Sequence, residues 1–228
     1  EAQKPDSKKY RFTANDFGGV LPEERTRAPV TWRINFHGKY LDIGHGQAVE
    51  RHTNYPLKFS KTGVPEDGYY KIVAQAEAIN RLDHPYSNSD FKMDFSEPMK
   101  MGLVIAPEPR LLQKNAHEGR RDVAVFDLAD EVPTDYEATV WLEKGSTPFV
   151  HWSNGVSSKG TITKVAAKYH PEVVRTRDYL LLEGLAKAQN LENKTIGEVY
   201  EGPRLRVHSL EITGPVYEMW PSKSHQMI

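Results

Sequence analysis

The chain has 228 residues, 38% of them hydrophobic and 27% charged, with 30 basic side chains set against 31 acidic ones. A formal net charge of −1 leaves no broad positive field for nucleic acid, and the absence of cysteine excludes disulfides, thiolate catalysis, cysteine-bound zinc and haem attachment in this segment. No apolar run reaches the roughly 20 residues that cross a bilayer, so the sequence does not predict a membrane-spanning protein.

The first 60 residues combine polar segments with short strand signals. Residues 1–9 are polar, carry no hydrophobic signal region and predict a flexible N-terminal segment of a processed or excised chain. Residues 10–17 alternate with period two, as a first strand does, before Gly18 and Gly19 break the pattern. Further strands are predicted at 30–36, 39–43 and 56–60.

The stretch 69–79 follows a turn signal at 66–68 and alternates clearly. Its even-numbered residues share one face of the predicted strand: Tyr70, Ile72, Ala74, Ala76 and Ala78. The alanine content also suits a helix, but the tyrosines and the preceding turn favour a strand. Residues 81–97 then predict a long loop of the kind that carries function, and a strand resumes at 99–106.

Two strands are predicted at 122–128 and 136–143, paired antiparallel across a turn at 130–135. In the second strand Trp141 faces outward, opposite the inward residues Tyr136, Ala138, Val140 and Leu142. A short strand at 148–152 precedes a segment at 153–160 that is predicted to be flexible.

The exception to the strand pattern is 171–190, where apolar residues recur at spacings of three and four, as in an amphipathic helix. Its apolar stripe includes Leu181 and Leu185 and must be buried, either on the sheet or against a neighbouring module.

The last predicted strand, 202–215, lies between two Gly-Pro pairs, and the second pair is expected to end it. Leu205, Val207 and Ser209 fall on one face of this strand, and Arg206 and His208 on the other. We therefore expect a core strand that closes a sheet.

These elements predict an all-β protein, a jelly-roll-like β-sandwich with a helical insertion before the last strand. The 15 Pro and 16 Gly suit such a loop-rich architecture. We expect a single domain over 10–217 and a linker to a following module at 218–228.

The run Leu-Glu-Ile-Thr-Gly-Pro-Val-Tyr-Glu-Met-Trp-Pro-Ser-Lys-Ser-His at 210–225 resembles the motif that closes a β-sandwich segment in large planctomycete-type surface proteins with cytochrome c modules. Further similar stretches follow the same order, at 10–17, 68–73, 125–128 and 136–145. The family segment is related to calcium-dependent, xylan-binding carbohydrate modules. The resemblance therefore implies a polysaccharide-binding module of a protein exported to the periplasm or the cell surface.

Sugar binding needs aromatic faces that cover apolar C–H surface and polar side chains that replace hydroxyl hydration. The candidate residues are Trp141, Trp152, His151, Tyr86 and Phe91. The competing interpretation is that the tryptophans cover the sheet as packing residues. Convergence of the aromatic residues on an open groove would favour sugar binding, whereas their burial would favour a structural domain that docks to neighbouring domains or subunits.

The resemblance also implies a structural calcium where the first and last strands meet, near Asn15, Asp16 and Glu211. The 81–97 loop offers other oxygen ligands, although without EF-hand spacing: Asp83, Asp90 and Asp94. The sequence contains no HExxH, GxSxG or P-loop motif, so a non-catalytic protein is predicted.

Overall fold

The computed structural model of the protein describes residues 6–13, 40–44, 62–107, 120–156, 160–173 and 199–216. The strands are β1 (Lys8–Thr13), β2 (Leu41–Ile43), β3 (Gly68–Ile79), β4 (Lys100–Ala106), β5 (Arg121–Asp127), β6 (Thr134–Leu142), β7 (Thr147–Trp152) and β8 (Arg204–Val216). Helix α1 is Gly160–Tyr169, and short 3-10 turns lie at Asn88–Asp90 and Pro171–Val173. The strands form two antiparallel sheets, which confirms the predicted all-β class.

β8 organises the larger sheet. The order of this five-stranded sheet is β1-β8-β3-β6, and β2 pairs with β8 beside β1. β1 pairs with the second half of β8, from Ser209 to Gly214, and β2 pairs with the first half, from Leu205 to Val207. One edge of β8 therefore holds β1 and β2, and the other edge holds β3.

The alternation of inward and outward side chains along β8 is interrupted once. A register shift opposite Gln75 and Ala76 lets Leu210 follow Val207 into the apolar core. Ser209, predicted on the same face as Val207, is buried but lies outside that core cluster. The strand also continues through Pro215 to Val216, one residue beyond the predicted end.

The smaller, three-stranded sheet has the order β5-β4-β7. The predicted pairing of β5 with β6 is wrong, because β5 pairs with β4 and β6 pairs with β3. The chain crosses between the sheets after β5, and Phe126 meets Tyr136 through side chains, with ring centroids 5.5 Å apart. The two strands therefore contact each other across the core and not along a ladder.

The two sheets share one apolar core, as in a β-sandwich. β3 contributes the residues that its alternation predicts, and β4 contributes Met101, Leu103 and Ile105 from the smaller sheet. Trp152 of β7 lies in the same cluster. The inward face of β6 also meets this core, as predicted, through Tyr136, Ala138, Val140 and Leu142.

Helix α1 begins at Gly160, the last residue of the segment predicted to be flexible, and continues over residues for which the sequence predicts no element. Its buried residues Ile162, Val165 and Ala166 are spaced by three and one, so they form one helical face. The predicted helix at 171–190 overlaps the described residues only at Pro171–Val173. The strands predicted at 30–36 and 56–60 lie outside the described residues.

The predicted N-terminal strand and the predicted C-terminal linker can be compared with the described ranges. β1 begins at Lys8, two residues earlier than the predicted strand, and the predicted linker at 218–228 lies outside the described ranges. Within those ranges, no helix combines the length and the apolar character that a membrane span requires.

Arg81 joins three segments at one end of the larger sheet. Its Nε and Nη2 donate to Asp130 Oδ1 and Oδ2 over 2.7 and 2.5 Å. Its Nη1 donates to the carbonyl oxygens of Phe95 at 2.8 Å and Glu97 at 3.1 Å. The hydrogen bond to Asp130 raises the pKa of Arg81 above its ordinary value. We call this arrangement the Arg81–Asp130 clamp, and it fixes both ends of the loop after β3 to the turn before β6.

We expect Arg81→Gln to lower the free energy of unfolding by about 2 kcal/mol, because charge-assisted hydrogen bonds from one partly buried group are lost together. Urea unfolding followed by fluorescence measures this change. Lys71→Gln is the matched control, since the Lys71–Glu137 ion pair is exposed and contributes at most about 1 kcal/mol. Equal losses in the two variants would show that the clamp contributes no more than a surface pair.

Candidate functional site

Tyr69 and Trp141 form an exposed aromatic pair at one end of the larger sheet. They are direct partners in the β3–β6 ladder, and their rings meet in a T shape, with centroids 5.3 Å apart and planes at 78°. Tyr69 is 54% exposed and Trp141 is 45% exposed, whereas their chain neighbours Tyr70 and Leu142 are buried. Because successive strand residues point to opposite faces, the aromatic pair lies on the outer face of the sheet.

The perpendicular arrangement gives the aromatic pair a particular shape. Two parallel rings would make one flat platform, but rings at 78° border a corner. The apolar face of a ligand can lie against one ring while its rim contacts the other. Strand pairing holds both Cα positions, so the corner is built on rigid backbone.

Polar groups lie on the same outer face, next to the aromatic pair. Lys71 and Thr139 are the next outward partners in the ladder, and Lys71 Nζ is 2.7 Å from Glu137 Oε2. Arg121, the first residue of β5, donates from Nη2 to the carbonyl oxygen of Trp141. Hydroxyl, ammonium and carboxylate groups therefore follow the aromatic pair along the outer face, and a guanidinium contacts the backbone of Trp141.

The structure corrects the assignment of Trp152 as a sugar-binding residue. Trp152 is fully buried in the core, and its Nε1 donates to Asn154 Oδ1 over 3.1 Å. Asn154 Oδ1 also accepts the N–H of Lys100 at 2.8 Å, and Asn154 Nδ2 donates to the carbonyl oxygen of Pro98 at 3.0 Å. Trp152 is thus a packing residue whose polar edge is bonded inside the protein.

His151 lies on the outer face of the smaller sheet, away from the aromatic pair. Its ring covers the backbone of Gly102, where an added Cβ would lie 2.3 Å from His151 Nε2. The same nitrogen is 3.6 Å from Asp122 Oδ1. The close approach of the ring to Gly102 explains why a residue without a side chain suits the middle of β4.

Tyr86 and Phe91 are buried in a second apolar cluster, which we call the loop–helix cluster. It consists of Tyr86, Phe91, Phe95, Val156, Ile162, Val165, Ala166 and Tyr200. Tyr86 stacks on Tyr200 with centroids 5.7 Å apart, and its hydroxyl lies 3.0 Å from His170 Nε2. Burial raises the pKa of Tyr86 and of Tyr200, so both phenols stay neutral at ordinary pH. The loop at 81–97 therefore uses these aromatic residues for packing on α1.

The five predicted sugar-binding residues do not converge. Trp152 lies in the main core, Tyr86 and Phe91 in the loop–helix cluster, and His151 on the outer face of the smaller sheet. Of the five, only Trp141 presents a large exposed aromatic surface, and its partner is Tyr69.

Three of the four described calcium candidates, Glu211, Asp90 and Asp94, already have other partners. Lys9 and Arg11 bind Glu211 over 2.8 and 2.5 Å. Their hydrogen bonds, with that from Lys9 as the larger cause, hold the pKa of the Glu211 carboxyl below its usual range. Lys168 and Tyr169 similarly bind Asp90, and Ser96 binds Asp94.

Asp83 is exposed, and Asn15 and Asp16 lie outside the described residues. No group of three acidic or histidine side chains suited to a metal occurs in the part of the chain that the structure describes. Of the calcium ligands that the resemblance implies, only Glu211 is described, and its carboxylate is bound by Lys9 and Arg11.

A polar network occupies the other end of the same outer face. Arg206 Nε and Nη2 donate to Asp42 Oδ1 and Oδ2 over 2.9 and 3.1 Å, and Arg204 Nε lies 3.1 Å from Asp42 Oδ2. Next to it, His208 Nε2 is 2.8 Å from Glu77 Oε1. Asp42 is almost completely buried, so this network ties β2 to β8 through paired charges.

Sequence reasoning missed Tyr69 and Arg121. The alternation that places Tyr70 inward also places Tyr69 outward, so Tyr69 could have been identified beside Trp141 from the period alone. The position of Arg121 depends on β5 lying across the sandwich from β6, which no local pattern reports.

Comparison of the chain with protein-family models, with curated proteins and with solved structures gave no match. The resemblance of the terminal motif therefore stays a prediction.

His84 gives the loop–helix cluster a pH-dependent contact. Its ring centroid lies 5.1 Å from that of Phe91 and 5.3 Å from that of Phe95, and its Nδ1 accepts the N–H of Tyr86 over 3.3 Å. Burial lowers the pKa of His84 below its ordinary value, and the neighbouring Asp83 opposes this shift only in part.

We expect the free energy of unfolding to fall as the pH drops from about 6.5 through the folded-state pKa of His84. The reason is that the unfolded chain binds a proton at this residue before the folded protein does. Urea unfolding over this pH range should show a weaker dependence in His84→Phe than in the wild-type protein. Identical pH dependence in the two proteins would contradict the assignment.

Proposed function

We propose that the protein is a non-catalytic carbohydrate-binding module and that the Tyr69–Trp141 pair is its binding surface. The single observation that carries the proposal is the exposure of two contacting aromatic rings on a strand ladder. The resemblance of the terminal motif points to the same class of function and to an exported protein.

The physical chemistry of the aromatic pair suits sugars. A pyranose ring presents C–H groups on its faces and hydroxyl groups at its rim, so its recognition combines an aromatic surface with a polar border. The outer face offers this combination, since Thr139 and the Lys71–Glu137 ion pair follow the aromatic residues along the ladder. Binding alone accounts for the arrangement, and the proposal assigns no catalytic step.

A second candidate function is docking to a neighbouring domain or subunit. Leu82 and Val132 are 68% and 56% exposed. Leu82 follows Arg81 of the clamp, and Val132 lies two residues after Asp130. They lie at the opposite end of the β3–β6 ladder from the aromatic pair, about 23 Å along the strand at ~3.3 Å per residue. Exposed aliphatic side chains gain from burial against protein but offer no stacking face to a sugar.

Affinity electrophoresis in gels containing xylan, hydroxyethyl cellulose, mannan, alginate or carrageenan tests the first function. We expect at least one polysaccharide to retard the wild-type protein. Trp141→Ala and Tyr69→Ala should each weaken that binding about tenfold, because a lost stacking contact of about 1.4 kcal/mol changes the dissociation constant by this factor.

The matched control is the double variant Leu82→Ser and Val132→Ser, which removes exposed apolar surface at the other end of the ladder. It should bind the polysaccharide like the wild-type protein. Absence of retardation on the whole panel, or equal loss in the control, would overturn carbohydrate binding at the aromatic pair and leave docking as the function to pursue.

We expect EGTA to leave the retardation unchanged. The proposed contacts are aromatic and polar side chains, and the carboxylates of Glu211, Asp90 and Asp94 are bonded within the protein. The same gels, run with added calcium and then with EGTA, measure this. Loss of binding in EGTA, restored by calcium, would show that a metal supports the site.

A further inference from the structure

We infer that Arg121 makes the aromatic pair selective for acidic glycans, which carry a carboxylate or a sulfate ester on the bound sugar. The inference rests on the proposed carbohydrate-binding function.

The first step is the position of Arg121. Among the described strands β6 forms the edge of the larger sheet, because its ladder partner is β3 alone. The guanidinium of Arg121 approaches this edge from β5 of the smaller sheet and donates to the carbonyl oxygen of Trp141. It therefore lies at the border of the residue whose indole is proposed to bind the sugar.

The second step is that other cations of the described sheets are paired with carboxylates. Lys71 is paired with Glu137 at 2.7 Å, and Lys9 and Arg11 are paired with Glu211. Arg121 differs from these cations, because its described bond is to a neutral carbonyl group and no described carboxylate forms an ion pair with it. Its positive charge is thus not engaged in an ion pair with a described carboxylate.

The third step is the donor geometry. A guanidinium group has five N–H donors in a planar fork, and the bond to Trp141 uses only part of this capacity. The remaining donors can bind the two oxygens of a carboxylate or two of the three terminal oxygens of a sulfate ester. Arg121 is exposed, so such a group can reach it from solvent.

These features define one arrangement of the ligand. A sugar ring lies in the corner between Trp141 and Tyr69, and its anionic substituent extends over the edge of β6 to Arg121. Uronic acids supply a planar carboxylate and sulfated sugars supply a tetrahedral sulfate ester, and each offers a pair of oxygens that a guanidinium can bind.

Isothermal titration with four soluble probes tests the inference. The acidic probes are alginate and carrageenan, which separate carboxylates from sulfate esters, and the neutral probes are mannan and hydroxyethyl cellulose. We expect at least one acidic probe to bind about tenfold or more tightly than both neutral probes. Raising the salt concentration should weaken the acidic binding, because mobile ions screen exposed charges.

Three variants assign the effect to Arg121. Arg121→Gln should lower the affinity for the acidic probe about tenfold or more, the usual result of removing a charged hydrogen-bond donor. Arg121→Lys keeps the charge but loses the fork, and we expect a smaller loss of at least about threefold. Lys8→Gln removes the same charge from β1, at the opposite edge of the sheet, and should bind like the wild-type protein.

Thermal unfolding of each variant shows whether it is folded. If Arg121→Gln does not fold, the binding of Arg121→Lys decides the outcome. Equal or tighter binding of a neutral probe, or unchanged acidic binding in the Arg121 variants, would overturn the inference while the proposed function stands. Binding of no probe and no polysaccharide would overturn both.

Discussion

The pairing of β8 with strands on both of its edges is the constraint on which the rest of the structure depends. β3 is paired along one edge, with Ile72 opposite Ile212, and β1 and β2 share the other edge. These partners are far apart in the chain, so forming the sheet requires the closure of long loops before the contacts stabilise it. Charged side chains reinforce the pairing on the outer face, where Glu211 binds β1 and Asp42 binds Arg204 and Arg206.

Once β8 and β3 are paired, the position of the aromatic pair follows. β6 joins the free edge of β3 and places Trp141 opposite Tyr69 at one end of the ladder. The Arg81–Asp130 clamp closes the other end and holds the loop after β3. The loop–helix cluster then buries Tyr86 and Phe91, so the loop whose composition suggested a binding site is mainly a packing element.

The two proposals use different parts of the same sandwich. The aromatic corner belongs to the larger sheet, and the cation beside it comes from the first residue of β5 in the smaller sheet. A sugar-binding surface built on paired strands needs little ordering on binding, because the backbone positions are already held. The contact between Arg121 and Trp141 therefore couples the packing of the two sheets to the proposed ligand preference.

The sequence by itself determined the all-β class, the inward faces of β3 and β6 and the exposure of Trp141, because a period of two residues is a local property of a strand. Tertiary structure decided which strands pair, which is why the predicted hairpin of β5 and β6 became a contact across the core. It also decided that Trp152 is buried while Trp141 is exposed. Both are tryptophans near the end of a strand, and they differ in whether a facing sheet covers the side chain. Arg121 gained its place beside Trp141 in the same way, through the packing of two sheets that no local pattern encodes.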